Sequence, residues 1–254
     1  KKFLESIFIL FLKFDFISKI ITIINLLDVY ETKEVFGKKI YLNKKNFITK
    51  YRNDTILSKE PETIQWIQNM EKDSIFWDVG SNIGLYSIVA ALLNSKKIVA
   101  FEPSFFNLQV LSKNIYKNKL TNKIIIIPIS LDDNIKEGLF NLKSIEEGGA
   151  LSNFSNDNSI IKDSSFNYNT VSITLDEFYN KFDSLSPDYL KIDVDGIETK
   201  ILNGGSKVLK NIKSVLVESN SDDDEKKITK IMNDHNLILE NNVKSKFNLI
   251  FNKL

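Results

Sequence analysis

Five places along the chain bring polar or acidic residues to the end of an apolar run. They are Asp78 to Gly84 (DVGSNIG), Glu102-Pro103, Ser130 to Asp132, Asp193 to Glu198 (DVDGIE) and Glu218 to Asn220. In open α/β sheets, ligands sit outside the carboxyl ends of the strands, so five such endings are a candidate site. At the first of them, Gly80 and Gly84 permit a tight turn and close backbone approach, and a helix starting after Gly84 offers free N–H groups. The spacing is G-x-x-x-G with an acid ahead of it, whereas a dinucleotide fingerprint needs G-x-G-x-x-G. A carboxylate at the mouth of this loop, Asp78, repels a pyrophosphate and favours a cation. Glu102 stands where an acid chelates ribose hydroxyls. Lys191, Asp193, Asp195 and Glu198 crowd into eight residues. Lys191 and Asp193 share one face of a strand by its two-residue period. Crowded carboxylates shift one another's pKa, which makes Asp193 a candidate base and Lys191 its compensating charge. The plainer alternatives are an internal ion pair and, for Glu198, a first-turn acid favoured by the helix dipole.

A ligand with a positive group and an adenosine ribose satisfies both Asp78 and Glu102. S-adenosylmethionine carries an ammonium, a sulfonium and that ribose. Glu102 alone does not separate it from NAD, so a nicotinamide-dependent oxidoreductase is the second reading and a catalytically inactive nucleoside-binding domain the third. Asp193 and Glu218 together would suit magnesium or calcium, although nothing in the sequence requires a divalent metal.

The elements that must position these residues alternate. SIFWDV, KIVAFE, KIIIIPIS, DYLKIDVDG and SVLVESN read as strands. LYSIVAALLN, FFNLQVLSKNIYKN and IETKILNGGSKVLKN read as helices between them, a rhythm that predicts a doubly wound parallel sheet. The continuous apolar run of KIIIIPIS predicts burial on both faces. Before the rhythm begins, VFGKKIYLNKKNFITKY has β character and reads as a hairpin, and SKEPETIQWIQNM as a helix with Ser58 as its N-cap. VSITLDEFYNKF reads as a strand edge and helix, Asp222 to Asn233 as a polar helix, and ILENN with KFNLIFNK as two closing strands. The Asn-, Ser- and Gly-rich stretch from Leu131 to Thr170 is too long for an ordinary connection and is expected to be a mobile lid or substrate loop. Within it, Gly148 and Gly149, next to Ala150 and Ser152, are expected to hinge it or to line the pocket.

Composition limits the chemistry. The 254 residues contain no cysteine and a single histidine, His235, which excludes a thiol nucleophile, a zinc-thiolate site and a histidine-based triad. With 34 basic against 33 acidic residues the formal charge is +1, so no nucleic-acid partner is expected. The N-terminal Phe/Ile/Leu-rich stretch carries Lys13, Asp15 and Lys19 mid-segment, which argues against a signal peptide or a membrane span. Phe3, Ile7, Leu10, Phe14, Ile17, Ile21 and Ile24 recur at helical spacing. N-terminal helices are therefore expected to pack on the domain or to join two copies in a homo-oligomer, with docking on a membrane surface as the alternative, in a soluble, cytoplasmic protein.

FWDVGSNIGLYSI, VAFEPSFFNLQVLSKN, VSITLDEF, DYLKIDVDGIETKILNGG and VLVESN, in that order, resemble the FkbM family of S-adenosylmethionine-dependent methyltransferases. The resemblance runs from about Pro61 to Asn220. It implies an α/β, class I Rossmann-like methyltransferase fold: a mostly parallel seven-stranded sheet with an antiparallel last strand, here with N-terminal helices added. Residues 1–60 would be a helical and hairpin extension, and 61–254 the methyltransferase domain with an inserted loop at 131–170. The resemblance also implies O-methylation of a small-molecule or glycan acceptor, such as a sugar hydroxyl in polysaccharide biosynthesis. By position, Asp78, Gly80, Ser81, Asn82 and Gly84 match the family's cofactor loop. Glu102 matches its ribose-binding acid, with Pro103 and Asn107 beside it, and Ser130 and Leu131 fall at its adenine pocket. Asp193, Gly196 and Glu198 match its K-I-D-x-E-G-x-E segment, in which Asp195 replaces the usual Glu. Asn220 stands where a histidine is common. Asp193, Lys191 and Glu198 are the catalytic candidates.

Overall fold

The structure, a computed structural model, describes residues 18–20, 22, 27–155, 164–240 and 247–254. Most of the expected N-terminal helical stretch lies outside the described residues. The first described strands, β1 (Tyr30–Val35) and β2 (Lys38–Asn43), form a hairpin. Its two-residue turn places Phe36 and Gly37 at positive φ, matching the twist of the paired strands. The β character ends there. Asn46 and Thr49 form a reciprocal capping box, which starts helix α1 (Phe47–Thr55) where strand was expected. Helix α2 (Pro61–Gln68) begins at its proline, with Glu60 at the cap and no side-chain cap bond; Ser58 lies outside it. Pro61 fits the first helical position because its missing N–H would have had no partner there.

Seven strands build the main sheet: β3 (Ile75–Val79), β4 (Lys97–Phe101), β5 (Ile124–Ile127), β10 (Tyr189–Ile192), β11 (Ser214–Glu218), β12 (Leu237–Leu239) and β13 (Asn248–Lys253). Their order is β12-β13-β11-β10-β3-β4-β5, all parallel except β13, which is antiparallel to both neighbours. The strand order reverses between β3 and β10, because the chain runs outward from β3 through β4 to β5 and then returns to β10. That reversal opens a crevice at the carboxyl ends of β3 and β10. Strand β5 is the outer edge, so Ile125 to Ile127 are only half-buried despite the apolar run.

Strand residues alternate between two cores. Phe76, Ile98, Ala100 and Leu216 face one side with Ile40 and Leu42 of the hairpin, α2, α3 (Leu85–Leu93) and α4 (Phe105–Lys117). Trp77, Val79, Val99, Phe101 and Ile192 face the other. There they meet α5 (Leu175–Lys181), α6 (Glu198–Asn203), α7 (Ser206–Asn211) and α8 (Asp222–Asp234). The helix expected over 197–211 is thus two short ones.

Residues 131–170 are not a structureless lid. Strands β6 (Ser130–Leu131), β7 (Lys136–Leu142), β8 (Asn153–Ser155) and β9 (Phe166–Ile173) form a second sheet in the order β6-β9-β7-β8. Strands β7 and β9 pair antiparallel from Lys136–Ser172 to Leu142–Phe166. Phe140, Leu142 and Phe154 make a small core against Phe106 and Tyr168. The many outward Asn and Ser residues conceal the strand period in the sequence. No helix among the described residues is long and apolar enough to cross a membrane.

One buried side chain ties the N-terminal hairpin to the site. Asn114 accepts the Asn43 N–H at 2.7 Å and donates to the Ile83 carbonyl at 2.9 Å. Asn114→Ala leaves both backbone groups unpaired, and a loss of about 2–4 kcal/mol is expected in denaturant unfolding. A loss below about 0.5 kcal/mol would mean that water replaces the amide.

Candidate active site

Loop β3–α3 is shaped by what it touches. The N–H groups of Gly80 and Ser81 both donate to the Phe101 carbonyl, at 3.0 and 3.1 Å, which ties the loop to the end of β4. Gly80 has φ +81°, and a Cβ there would lie 1.9 Å from the Asp193 carbonyl oxygen. Only glycine lets this loop lie against the end of β10. Gly84, at φ +85°, caps α3, and its Cβ would meet Leu111 Cδ1 at 2.4 Å. Asn82, also at positive φ, joins three segments: its N–H donates to Glu102 Oε2 and its Nδ2 to the Gly149 carbonyl, both at 2.8 Å.

Next to this loop lies a first cavity with about 580 Å³ of empty space counted out to solvent. Gly80, Asn82, Glu102, Pro103, Asn107, Ser130 and Leu131 all line it, with Gly149, Ala150 and Ser152 from the inserted segment. Glu102 is buried, its two oxygens held by the N–H groups of Asn82 and Ser104 at 2.8 Å each. Burial pushes its carboxyl up to about 7, against the lowering pull of those two donors. Asn107 accepts the Gly148 N–H at 2.9 Å, fixing the inserted segment over the cavity. Tyr168 donates to the Pro103 carbonyl at 2.5 Å from the other side. Two lining side chains, Ser130 Oγ and Asn153 Oδ1, are buried with no hydrogen-bond partner among the described residues. Buried polar atoms are normally paired, so these two are free to take a ligand's donors.

A second cavity, about 480 Å³ by the same measure, adjoins the first along Gly80, Asn82 and Asp193. Ser81 lies on this side, with Arg52, Lys59, Glu60, Tyr86 and Lys191. Lys191 is 1% exposed, donates to Asp193 Oδ2 at 2.6 Å and sits 4.9 Å from the centre of the Tyr86 ring. Burial works to lower the lysine's pKa, but the charges of Asp193, Asp78 and Glu60 outweigh it and keep the ammonium protonated. Burial alone would likewise raise Asp193. The Lys191 charge and the hydrogen bonds from Lys191 and Glu218 instead hold it down to about 2. Glu218 is pushed the other way, up to about 8, by burial, by the Asp193 charge and by their shared hydrogen bond. The two carboxyls therefore hold one proton between them at neutral pH.

Three expected residues stand elsewhere, and one of them, Gly84 at the cap of α3, lines neither cavity. Asp78 sits beneath the loop, not at its mouth: it is 1% exposed, accepts from Ser87 Oγ at 2.5 Å, and lines neither cavity. Burial raises its pKa, opposed by Lys191, which faces it across the β3–β10 pair. Glu198 turns back onto its own loop, accepting from the N–H groups of Val194 and Gly196, and lines neither cavity. It positions Asp193 to Gly196 and does not reach the seam. Asp195 accepts the Leu151 N–H at 2.7 Å, joining that loop to the inserted segment. Among the described residues no group of three or more His, Cys, Asp or Glu is arranged to hold a metal. Sequence reasoning missed Arg52, Lys59, Glu60 and Tyr86, because they precede the recognisable motifs or lie inside a helix. It missed Asn153 because its strand was read as loop.

The methyltransferase FkbM domain family matches the chain over residues 78–243. The chain is 25% identical over 174 residues to hexuronic acid methyltransferase AglP of Haloferax volcanii, covering 68% of this chain and 67% of that protein. It aligns with the crystal structure of methyltransferase FkbM from Methylobacillus flagellatus KT at a TM-score of 0.50 and 14% identity. That alignment covers 72% of this chain and 44% of the other, so this chain spans less than half of that structure's length, and the likeness concerns the fold.

Gly80→Ala places a methyl group inside the Asp193 carbonyl contact, so the β10 end must move away. A fall in the thermal unfolding midpoint is expected, together with a changed backbone amide environment at Val194 to Gly196 in NMR. Unchanged amide shifts there would contradict the contact.

Proposed function

The chain belongs to the methyltransferase FkbM family, and we propose that it moves a methyl group from S-adenosylmethionine to a hydroxyl of a sugar or glycan precursor. One observation carries the donor assignment. Glu102, a buried carboxylate with both oxygens aimed by backbone N–H groups, lines a cavity between the glycine loop and Ser130, at the point where strand order reverses. In this reading Glu102 takes the ribose hydroxyls, Ser130 and Leu131 border the adenine, and the loop from Gly80 to Gly84 approaches the methionine portion. The unpaired Ser130 Oγ lines this cavity and can pair with such a ligand's polar atoms. The sugar acceptor is supported by the relative described as a hexuronic acid methyltransferase.

When bound, S-adenosylmethionine supplies a methyl group on a sulfonium, with a neutral thioether as leaving group. The chain's own work is alignment, exclusion of water and removal of the hydroxyl proton. Asp193 stands at the seam of the two cavities, where a hydroxyl in the second faces a donor in the first. Lys191 keeps Asp193 charged and oriented, so it accepts the hydroxyl's hydrogen bond. A carboxylate held near 2 is a weak base by itself. Once Glu218 gives up the shared proton, the pair accepts the hydroxyl proton far more readily.

Calorimetric titration tests the donor. S-adenosylmethionine and S-adenosylhomocysteine are expected to bind and NAD not to. Glu102→Ala should cost about 2–3 kcal/mol of binding, the value of hydrogen bonds to a charged group. Glu102 accepts two hydroxyls only when ionised, so wild-type affinity should rise with pH through about 7 and level off above it. NAD binding alone would overturn the reading. The catalytic pair has its own test in the pH profile of methyl transfer. The rate should climb as the pH passes about 8, where Glu218 loses its proton, and Glu218→Gln should flatten that climb. A profile unchanged by the substitution would remove Glu218 from the mechanism.

A further inference from the structure

We infer that the second cavity receives a sugar bearing a carboxylate and that Arg52 is the residue that grips it, an assignment that rests on the function proposed above and narrows its acceptor. Arg52 is the only arginine in the sequence, and every other one of the 34 basic residues is a lysine. The guanidinium differs from an ammonium in being a rigid planar fork that matches a carboxylate with two parallel hydrogen bonds.

Arg52 lines the second cavity. It lies in the last turn of α1, and its Nε donates to the Gly148 carbonyl at 2.6 Å, which tethers the group and leaves its two terminal nitrogens for other partners. Helix α1 is itself pinned to the same segment. Lys45 pairs with Glu147 at 2.5 Å, and Asn46 Nδ2 donates to the Glu147 carbonyl at 3.0 Å. The cavity's other cations are already matched: Lys59 by Glu60 at 2.7 Å, and Lys191 by Asp193 at 2.6 Å. Glu60 also accepts from Tyr86 at 2.8 Å. Among the described residues Arg52 forms no ion pair with any carboxylate, although it lines the cavity. Among the described residues lining this cavity it is the cation without an ion-paired carboxylate, although its charge also acts on Glu102 and Asp195.

Charge also sets the direction of the acceptor. The ionised Asp193 at the seam repels a carboxylate and welcomes a hydroxyl, while Arg52 does the reverse. A uronic acid held by its carboxylate at Arg52 turns a ring hydroxyl toward Asp193 and the donor cavity. The carboxylate is an anchor in this arrangement, and the hydroxyl is the methylated group. A carboxylate could also come from the donor's own methionine portion, and the experiment separates the two sources.

The test uses the full chain saturated with S-adenosylhomocysteine and titrated with methyl glucuronide, methyl galacturonide and the corresponding neutral glucoside and galactoside. At least one uronide should bind about tenfold or more tightly than its neutral counterpart. Arg52→Gln should abolish that preference, and Arg52→Lys should restore little of it despite keeping the charge. At about pH 9, where Glu102 is ionised with or without the Arg52 charge, both variants should bind S-adenosylhomocysteine within about twofold of wild type, which also establishes that they fold. Equal binding of neutral and acidic sugars, binding of neither uronide, or a preference that survives Arg52→Gln would overturn the assignment. So would a loss of S-adenosylhomocysteine affinity in Arg52→Gln without a loss for 5′-methylthioadenosine, which lacks the amino acid portion: Arg52 would then hold the donor's carboxylate. Failure of the wild type to bind S-adenosylhomocysteine would sink the donor assignment itself, and this one with it.

Discussion

A buried ammonium holds the centre of this protein together. Lys191 lies in the middle of the sheet, in register with Asp78 across the β3–β10 pair and hydrogen-bonded to Asp193 two residues on. Moving a charge out of water costs several kcal/mol unless partners compensate it. Here the compensation is shared among Asp193 in front of the lysine, Asp78 behind it and Glu60. That sharing explains why an aspartate lies near the end of β3 beneath a glycine loop, and why Asp193 remains ionised at the seam of two cavities. Asp193 in turn pushes its proton onto Glu218 at the end of the neighbouring strand. One desolvated cation thereby orders the charges at three adjacent strand ends.

The second constraint is convergence on the segment around Gly148 and Gly149. Asn82, Asn107 and Arg52 all bond to its backbone, and Asp195 bonds to Leu151 close by. The segment belongs to the inserted β-sheet, and Arg52 to the N-terminal helix. Neither is needed to complete the seven-stranded sheet, yet both supply walls of the cavities at its crevice. The core sheet thus presents Glu102 and Asp193 at its crevice, while the additions wall the cavities beside them.

The positions of the strand ends were legible because burial in a sheet forces apolar runs. Polar residues at their ends, such as Glu102 and Asp193, then stand out. Their side-chain directions were less legible. Asp78 lies under its loop because Ser87 and Lys191 claim it, and Glu198 folds back because the N–H groups of Val194 and Gly196 need an acceptor. Both outcomes depend on partners distant in sequence or on the local turn. The sheet within 131–170 was hidden because one of its faces is solvated and rich in Asn. Helix α1 was hidden because a two-residue capping signal, Asn46 with Thr49, outweighed a longer stretch of β-like alternation. The lone arginine was visible in composition from the start, but only its place in the second cavity gives it a meaning.

A crystal structure of the protein with S-adenosylhomocysteine would reveal how the donor sits across the two cavities. The ribose is expected on Glu102, the adenine beside Ser130 and Leu131, and the sulfur at the seam formed by Gly80, Asn82 and Asp193, facing the second cavity. A nucleoside seated in the second cavity, or a sulfur turned away from Asp193, would contradict that placement.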